Sequence, residues 1–223
     1  MTDTKNASLA KRLLICAFGM FFYASGVAIT KNCNLGISAI ISVAYVLSMI
    51  IPVSMGWCTT IVNLVYFLFQ RLLLRREYPM WMMLAQFFMS MVFSVAVDLT
   101  AEFFGFMQSL TLAYPVRILV FVFGCAVMAL GILLVVFADF VVLPAEGCVN
   151  AMVQRSHMRF GTCKILFDAA MVAVTILFSL IFFGKILGIR EGTLIAVLLI
   201  GTFAKHIGAA LWPVLNRFTA VEK

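Results

Sequence analysis

A chain of 223 residues that is 65% hydrophobic and 11% charged, with a mean hydropathy of +1.14, has too little polar surface to clothe a water-soluble core and too little charge to stay disordered. Collagen, coiled coils and disulfide-stapled secreted mini-proteins are excluded with it. The excess of 16 Lys and Arg over 9 Asp and Glu lies in short caps between apolar runs, where basic residues orient a chain in a bilayer rather than bind nucleic acid.

A spanning helix needs about 20 apolar residues, so this length allows roughly six to eight membrane segments. In the first half, apolar patterning predicts a long helix over 11–30, a short segment over 37–53, and helices over 57–74 and 80–104. The second half predicts helices over 114–138, 162–183 and 192–214, with a short segment over 142–153. That last piece, at 1.5 Å per residue, reaches about 18 Å against a hydrocarbon core of about 30 Å. It cannot cross unaided. Lys11 and Arg12 ahead of an apolar run with Ala24 and Ser25 resemble a secretory leader. A second copy of the same segment deep in the chain argues for a span instead.

That second copy appears when the sequence is slid against itself by 105 positions. Arg12 then meets Arg117, Leu14 meets Leu119, Phe18 meets Phe123, Gly19 meets Gly124, Ala24 meets Ala129 and Gly26 meets Gly131. Without a gap, Gly56 reaches Gly161 and Cys58 reaches Cys163, while Asn34 faces Asp139 and Asn63 faces Asp168. Chance would favour matches of Leu and Phe; these are glycines, a cysteine and intramembrane polar positions. The expectation is an all-α polytopic bundle of two repeated halves, 1–107 and 108–223, with about six spanning helices plus two short or re-entrant segments.

Basic residues arbitrate the topology. With six crossings, Lys5, Lys11, Arg12, Arg71, Arg75, Arg76, Arg155, Arg159, Lys164, Arg217 and Lys223 share one side, leaving Lys31, Arg117, Lys185 and Arg190 on the other. Eight crossings would split Arg71, Arg75 and Arg76 from that group. The positive-inside rule therefore favours inverted halves, although Arg12 and Arg117 would share a side only in parallel ones.

Polar residues inside apolar runs are the site candidates, because a charge at the bilayer centre costs at least a few kcal/mol and normally faces a bundle interior or a wet cavity. They are Gln86 and Asp98 in the fourth segment, Asn63 in the third, Asn34, Asp139 and Glu146 around the short segments, Lys164 and Asp168 in the seventh, and Lys205 with His206 in the last. Lys164 and Asp168 stand four apart and can pair within one helix. A shift of 107 sets Asp98 against Lys205, opposite charges able to neutralise each other across the repeat interface. The structural alternative is that such charges reach headgroups or fix helix packing. Polar residues and breakers opening the short segments, Asn34 to Ser38 and Asp139 to Gly147, suit a midplane substrate or ion site or, equally, an interfacial loop.

The six cysteines show no CxxC and no His at ligand spacing, so neither a zinc site nor a redox motif is predicted, and no cofactor. P-loop, HExxH, GxSxG and dinucleotide fingerprints are missing, and an enzyme is not expected. Gly184 to Gly188 matches GxxxG but reads as a turn at a helix end.

The chain resembles the YczE/YyaS/YitT-like bacterial integral membrane proteins. The residues that carry this are Gly26-Val27-Ala28, Asn34-Leu35-Gly36-Ile37-Ser38, Tyr45-Val46-Leu47-Ser48, Leu72-Leu73-Leu74-Arg75-Arg76, Leu143-Pro144-Ala145-Glu146-Gly147 and Ile189-Arg190-Glu191-Gly192-Thr193. Ala39 stands where that family commonly has proline, and Val141 where it has glycine, so each half keeps one of the two breakers. The resemblance implies a multi-pass protein of the bacterial plasma membrane, presumed to be a transporter, without a substrate. The functional expectation is a small-solute transporter or permease-like protein with a polar cavity between two repeats. Its partners would be membrane lipids and an unknown small solute or ion. The rival is a non-transporting accessory or assembly protein whose buried charges are structural.

Overall fold

The computed structural model describes residues 9–75, 79–109, 113–138 and 141–219. Every regular element among them is helical: α1 (Leu9–Asn32), α2 (Ala39–Ile50), α3 (Met55–Leu74), α4 (Met80–Phe103), α5 (Tyr114–Ala138), α6 (Pro144–Ser156), α7 (Phe160–Phe183) and α8 (Glu191–Thr219). A short 3-10 turn, Gly105–Ser109, follows α4. Six helices, α1, α3, α4, α5, α7 and α8, are long and apolar enough to cross a membrane. The chain is thus a polytopic helical bundle, as its composition requires.

The two short helices are set by local chemistry. Asn34 at φ 60° and Gly36 at φ 116° turn the chain sharply after α1, and the Ile37 amide is taken by the Gly188 carbonyl at 3.0 Å. Helix α2 therefore opens only at Ala39, two residues later than patterning predicts, and stops before Pro52. Helix α6 opens on Pro144, whose missing N–H costs nothing in a first turn. With 12 and 13 residues, α2 and α6 extend about 18–20 Å, too short to cross. Gly184, at φ 65°, closes α7, and Gly188, at φ 76°, turns the following loop, so the GxxxG match is a turn. Helix α8 runs on to Thr219, past the predicted end at 214, with Pro213 inside it. Helices α2 and α6, and α3 and α7, open at positions 105 residues apart, Ala39 with Pro144 and Met55 with Phe160.

The most extensive seam joins α1 and α5, and glycine makes it possible. A Cβ at Gly26 would stand 2.6 Å from the Met128 backbone nitrogen, one at Gly19 would stand 2.8 Å from that of Val135, and one at Gly131 would fall on Tyr23. Small residues let backbones approach where lipid supplies no hydrophobic drive for helix association. As the α1 partner advances from Gly19 to Gly26, the α5 partner retreats from Val135 to Met128, so the helices are antiparallel. Three long helices, α1, α3 and α4, precede α5; antiparallel α1 and α5 therefore require that α2 does not cross.

Helix α4 lies on α1, with the Tyr23 and Phe93 rings 4.8 Å apart and the Asn32 amide donating to the Phe104 carbonyl. Helix α8 lies on α5 in the corresponding way, Gly192 against Phe121 and Gly208 against Leu133. Each short helix reaches into the other half. Helix α2 packs on α7 as well as α3, through Ser42 and Thr175 hydroxyls 2.8 Å apart, and α6 packs on α3 as well as α7, Gln70 Nε2 donating to the Pro144 carbonyl at 3.0 Å.

Two outcomes test this packing. Gly131→Ala should cost about 1–3 kcal/mol, the cost of overpacking, whereas Gly201→Ala, where a Cβ meets nothing within 4 Å, should be neutral in tryptophan-monitored unfolding. Because all six native cysteines are buried, single cysteines introduced at Arg75 and Lys185 can be labelled selectively. They should react with impermeant maleimide from opposite faces of the membrane.

Candidate functional site

A cavity of about 20 Å³, the volume of roughly one water, lies where α1, α2, α3, α4 and the start of α6 converge. Its polar lining is Tyr23 from α1, Thr59, Asn63 and Tyr66 from α3, and Glu146 from the first turn of α6. Ile40, Ala44 and Phe93 close the remaining walls. Both short helices therefore contribute to one chamber, and two of the residues singled out from sequence, Asn63 and Glu146, meet there.

Helical spacing explains how α3 supplies three of these groups. Thr59, Asn63 and Tyr66 recur at intervals of four and three, which stacks them on one face. The neighbouring stripe is a polar seam with α4: Thr60 and Ser94 hydroxyls lie 2.7 Å apart, and the Asn63 amide donates to Ser90 Oγ. Thr59 Oγ1 donates to the Met55 carbonyl at 2.8 Å, and Tyr66 Oη points at the Ile40 carbonyl and Met171 Sδ. Glu146 makes no ion pair among the described residues; burial raises its carboxyl above the usual range, opposed by the charge of Lys164 and a backbone hydrogen bond and reinforced by Asp168. Its place in the first turn of α6, where the helix dipole is positive, works against that rise.

The other candidates go elsewhere. Asp98 caps α3: its carboxylate accepts from Ser54 Oγ at 2.6 Å and from the Gly56 amide at 2.7 Å. Lys205 is exposed on α8 and makes no ion pair among the described residues, and α4 does not pack on α8. The Asp98–Lys205 pairing across the repeat interface is therefore not formed; the amino end of α3 has claimed the carboxylate first. Exposed His206 places Nδ1 2.9 Å from the Thr202 carbonyl of its own helix. Lys164 and Asp168 form the expected pair at 2.6 Å, with Asp168 7% exposed. Gln86 is buried in α4 away from the cavity lining. Asn34 sits in the loop before α2, its carbonyl accepting from Arg190 Nη1 at 2.9 Å, and belongs to a loop splice rather than the chamber. Asp139 lies outside the described residues.

Three lining residues, Tyr23, Thr59 and Tyr66, escaped sequence reading because hydroxyls are ordinary in membrane helices. A signal for the adjoining seam was present: Gln86, Ser90, Ser94 and Asp98 recur every fourth residue, one polar stripe on α4. Among the described residues no three His, Cys, Asp or Glu converge on a metal position, and Glu146 is the one carboxylate among the chamber's lining residues.

The family model described as a family of unknown function, DUF6198, matches residues 10–208. The chain belongs to this family. That match spans α1 through most of α8, including every residue lining the chamber. No curated protein and no solved structure matches the chain.

Asp98→Ala should destabilise the bundle by roughly 0.5–2 kcal/mol, the cost of losing the acceptor at the amino end of α3. Since Asp98 and Lys205 do not meet, adding Lys205→Met should be additive to within about 0.5 kcal/mol in a double-mutant cycle read by melting or denaturant unfolding.

Proposed function

We propose that the protein is a small-solute transporter or permease-like protein, built from two duplicated halves in inverted orientation, whose transport path passes through the chamber at Glu146 and Asn63. The observation that carries this reading is the convergence of polar side chains from both halves, Tyr23, Asn63 and Tyr66 from one and Glu146 from the other, on one small cavity bordered by two non-crossing helices. A carboxylate at membrane depth is expensive and is normally retained for a substrate or ion path. Short helices meeting at mid-depth are the way inverted-repeat transporters build such sites.

The duplication is supported by equivalent contacts as well as by the glycine and cysteine matches. Gln70 packs against Gly147, and the positions 105 residues away from each, Thr175 and Ser42, hydrogen-bond to each other. Tyr66 and Met171, themselves 105 apart, touch, as residues at a pseudo-twofold axis do. Resemblance to the YczE/YyaS/YitT-like proteins favours the bacterial plasma membrane as the location.

One observation favours the rival, an accessory membrane protein: Asp98 and the Lys164–Asp168 pair are both engaged within the fold. Solid-supported-membrane electrophysiology on proteoliposomes separates the two readings. Jumps of amines, amino acids, organic acids and sugars should evoke a current for at least one solute class. Glu146→Gln and Asn63→Leu, purified as monodisperse protein, should abolish that current. Silence across the panel from well-folded wild-type protein overturns the transporter.

A further inference from the structure

A groove of about 680 Å³ runs along the exposed side of α3 to its carboxyl end, lined by Val65, Leu68, Phe69, Arg71, Leu72 and Arg75. Its volume is that of an ordinary small-molecule site. Val65, Leu68, Phe69 and Leu72 follow one another at i, i+3, i+4 and i+7 and form one exposed face, while Tyr66, Phe67 and Gln70 are buried in the bundle. The lining is therefore divided, with four apolar side chains along the shaft of the helix and two guanidiniums at its end. From Val65 to Arg75 the helix rises about 15 Å, half of a hydrocarbon core of about 30 Å, so the groove runs the depth of one leaflet and stops at headgroup level. The two cations are placed by the backbone. Arg75 ends α3 at φ 49°, and Arg71 Nη1 donates to the Arg75 carbonyl at 2.6 Å. The carbonyl end of a helix is partly negative and repels an anion. Arg71 offsets that charge here, and Arg75 adds a second positive charge beside it. Other basic residues of the same membrane face are engaged within the fold: Arg12 Nε donates to the Ala138 carbonyl at 2.9 Å, and Lys164 pairs with Asp168.

We infer that this groove binds one phospholipid with a net-negative headgroup, drawn from the leaflet on the basic side of the membrane, its phosphate at Arg71 and Arg75 and one acyl chain along Val65, Leu68, Phe69 and Leu72. An amphipathic lining selects an amphipathic ligand. Guanidinium N–H groups match the spacing of phosphate oxygens and hold them in pairs. A zwitterionic headgroup carries a cation of its own, which two arginines repel, whereas a net-negative one meets attraction alone. A soluble anion would satisfy the arginines and leave the apolar length of the groove unfilled. Basic pockets at the cytoplasmic ends of membrane helices collect anionic headgroups, each arginine adding to the attraction. Such a lipid sits apart from the chamber, and its binding does not depend on whether the chamber carries a solute.

Native mass spectrometry of the full chain released from detergent micelles counts bound lipids directly. Titrated with phosphatidylglycerol and with phosphatidylcholine of the same chains, the wild-type protein should take up one phosphatidylglycerol about 30-fold more tightly, as two arginines at one headgroup imply. Arg75→Gln keeps the backbone carbonyl that Arg71 caps, and should lower the preference about fivefold. Arg71→Gln combined with Arg75→Gln should abolish it. Arg155→Gln combined with Arg159→Gln, on the same basic side but outside the groove, should leave it unchanged. Glycerol 3-phosphate, a headgroup without chains, should not displace the lipid at equal concentration. The wild-type comparison stands whether or not a variant folds: equal uptake of the two lipids overturns the site. A preference that survives the loss of both arginines overturns its location, and displacement by glycerol 3-phosphate overturns the lipid in favour of a free anion.

Discussion

Hydrocarbon offers no hydrogen bonds, so each polar atom carried into the bilayer must be satisfied by another part of the same bundle, and in this protein α3 is where most of that exchange occurs. Its amino end is closed by Asp98, its middle by the hydroxyls of Ser90 and Ser94, and its lower part by Gln70 reaching the opening turn of α6. A continuous polar edge on α3 thus ties α4 on one side to a short helix of the other half on another. The glycine seam between α1 and α5 does the complementary work, gaining dispersion contacts through close backbone approach where apolar burial gives nothing.

The chamber follows from this arrangement. Two helices too short to cross leave volume that long helices would have filled, and each is anchored on the other half rather than its own alone. The first turn of α6 brings a carboxylate, and α1 and α3 bring hydroxyls, to a space lined also by Ile40, Ala44 and Phe93. In a low-dielectric interior, electrostatic interactions are strong and unpaired polar groups are costly.

The first and second halves of the chain do not form the same seams. Positions 105 residues beyond Thr60 and Asn63 are Ile165 and Asp168, and the Asp pairs within its own helix with Lys164. No seam comparable to that of α3 with α4 forms between α7 and α8 among the described residues. Helix α8 consequently leans on α5 and leaves most of its surface exposed, Lys205 and His206 included. The first half is joined by side-chain hydrogen bonds, the second by apolar contact and an internal ion pair.

Composition and run length by themselves determined that the chain is a helical membrane bundle, because the roughly 20-residue requirement for crossing a bilayer is a one-dimensional constraint that a sequence displays directly. The matched glycines marked a repeat in the sequence; that Gly19, Gly26 and Gly131 let α1 and α5 approach closely was decided by the packing. The partner of each buried charge was not legible. Asp98 and Lys205 align at a fixed offset, yet Asp98 bonds to Ser54 and Gly56, far from it in sequence, and which donor wins is set by how α3 and α4 are juxtaposed. The chamber was likewise invisible as a whole: Asn63 and Glu146 stood out because charge and amide are rare in oil, while Tyr23, Thr59 and Tyr66 became part of it only through the crossing of helices. Periodicity tells a residue which face it occupies; three-dimensional packing alone decides what that face meets.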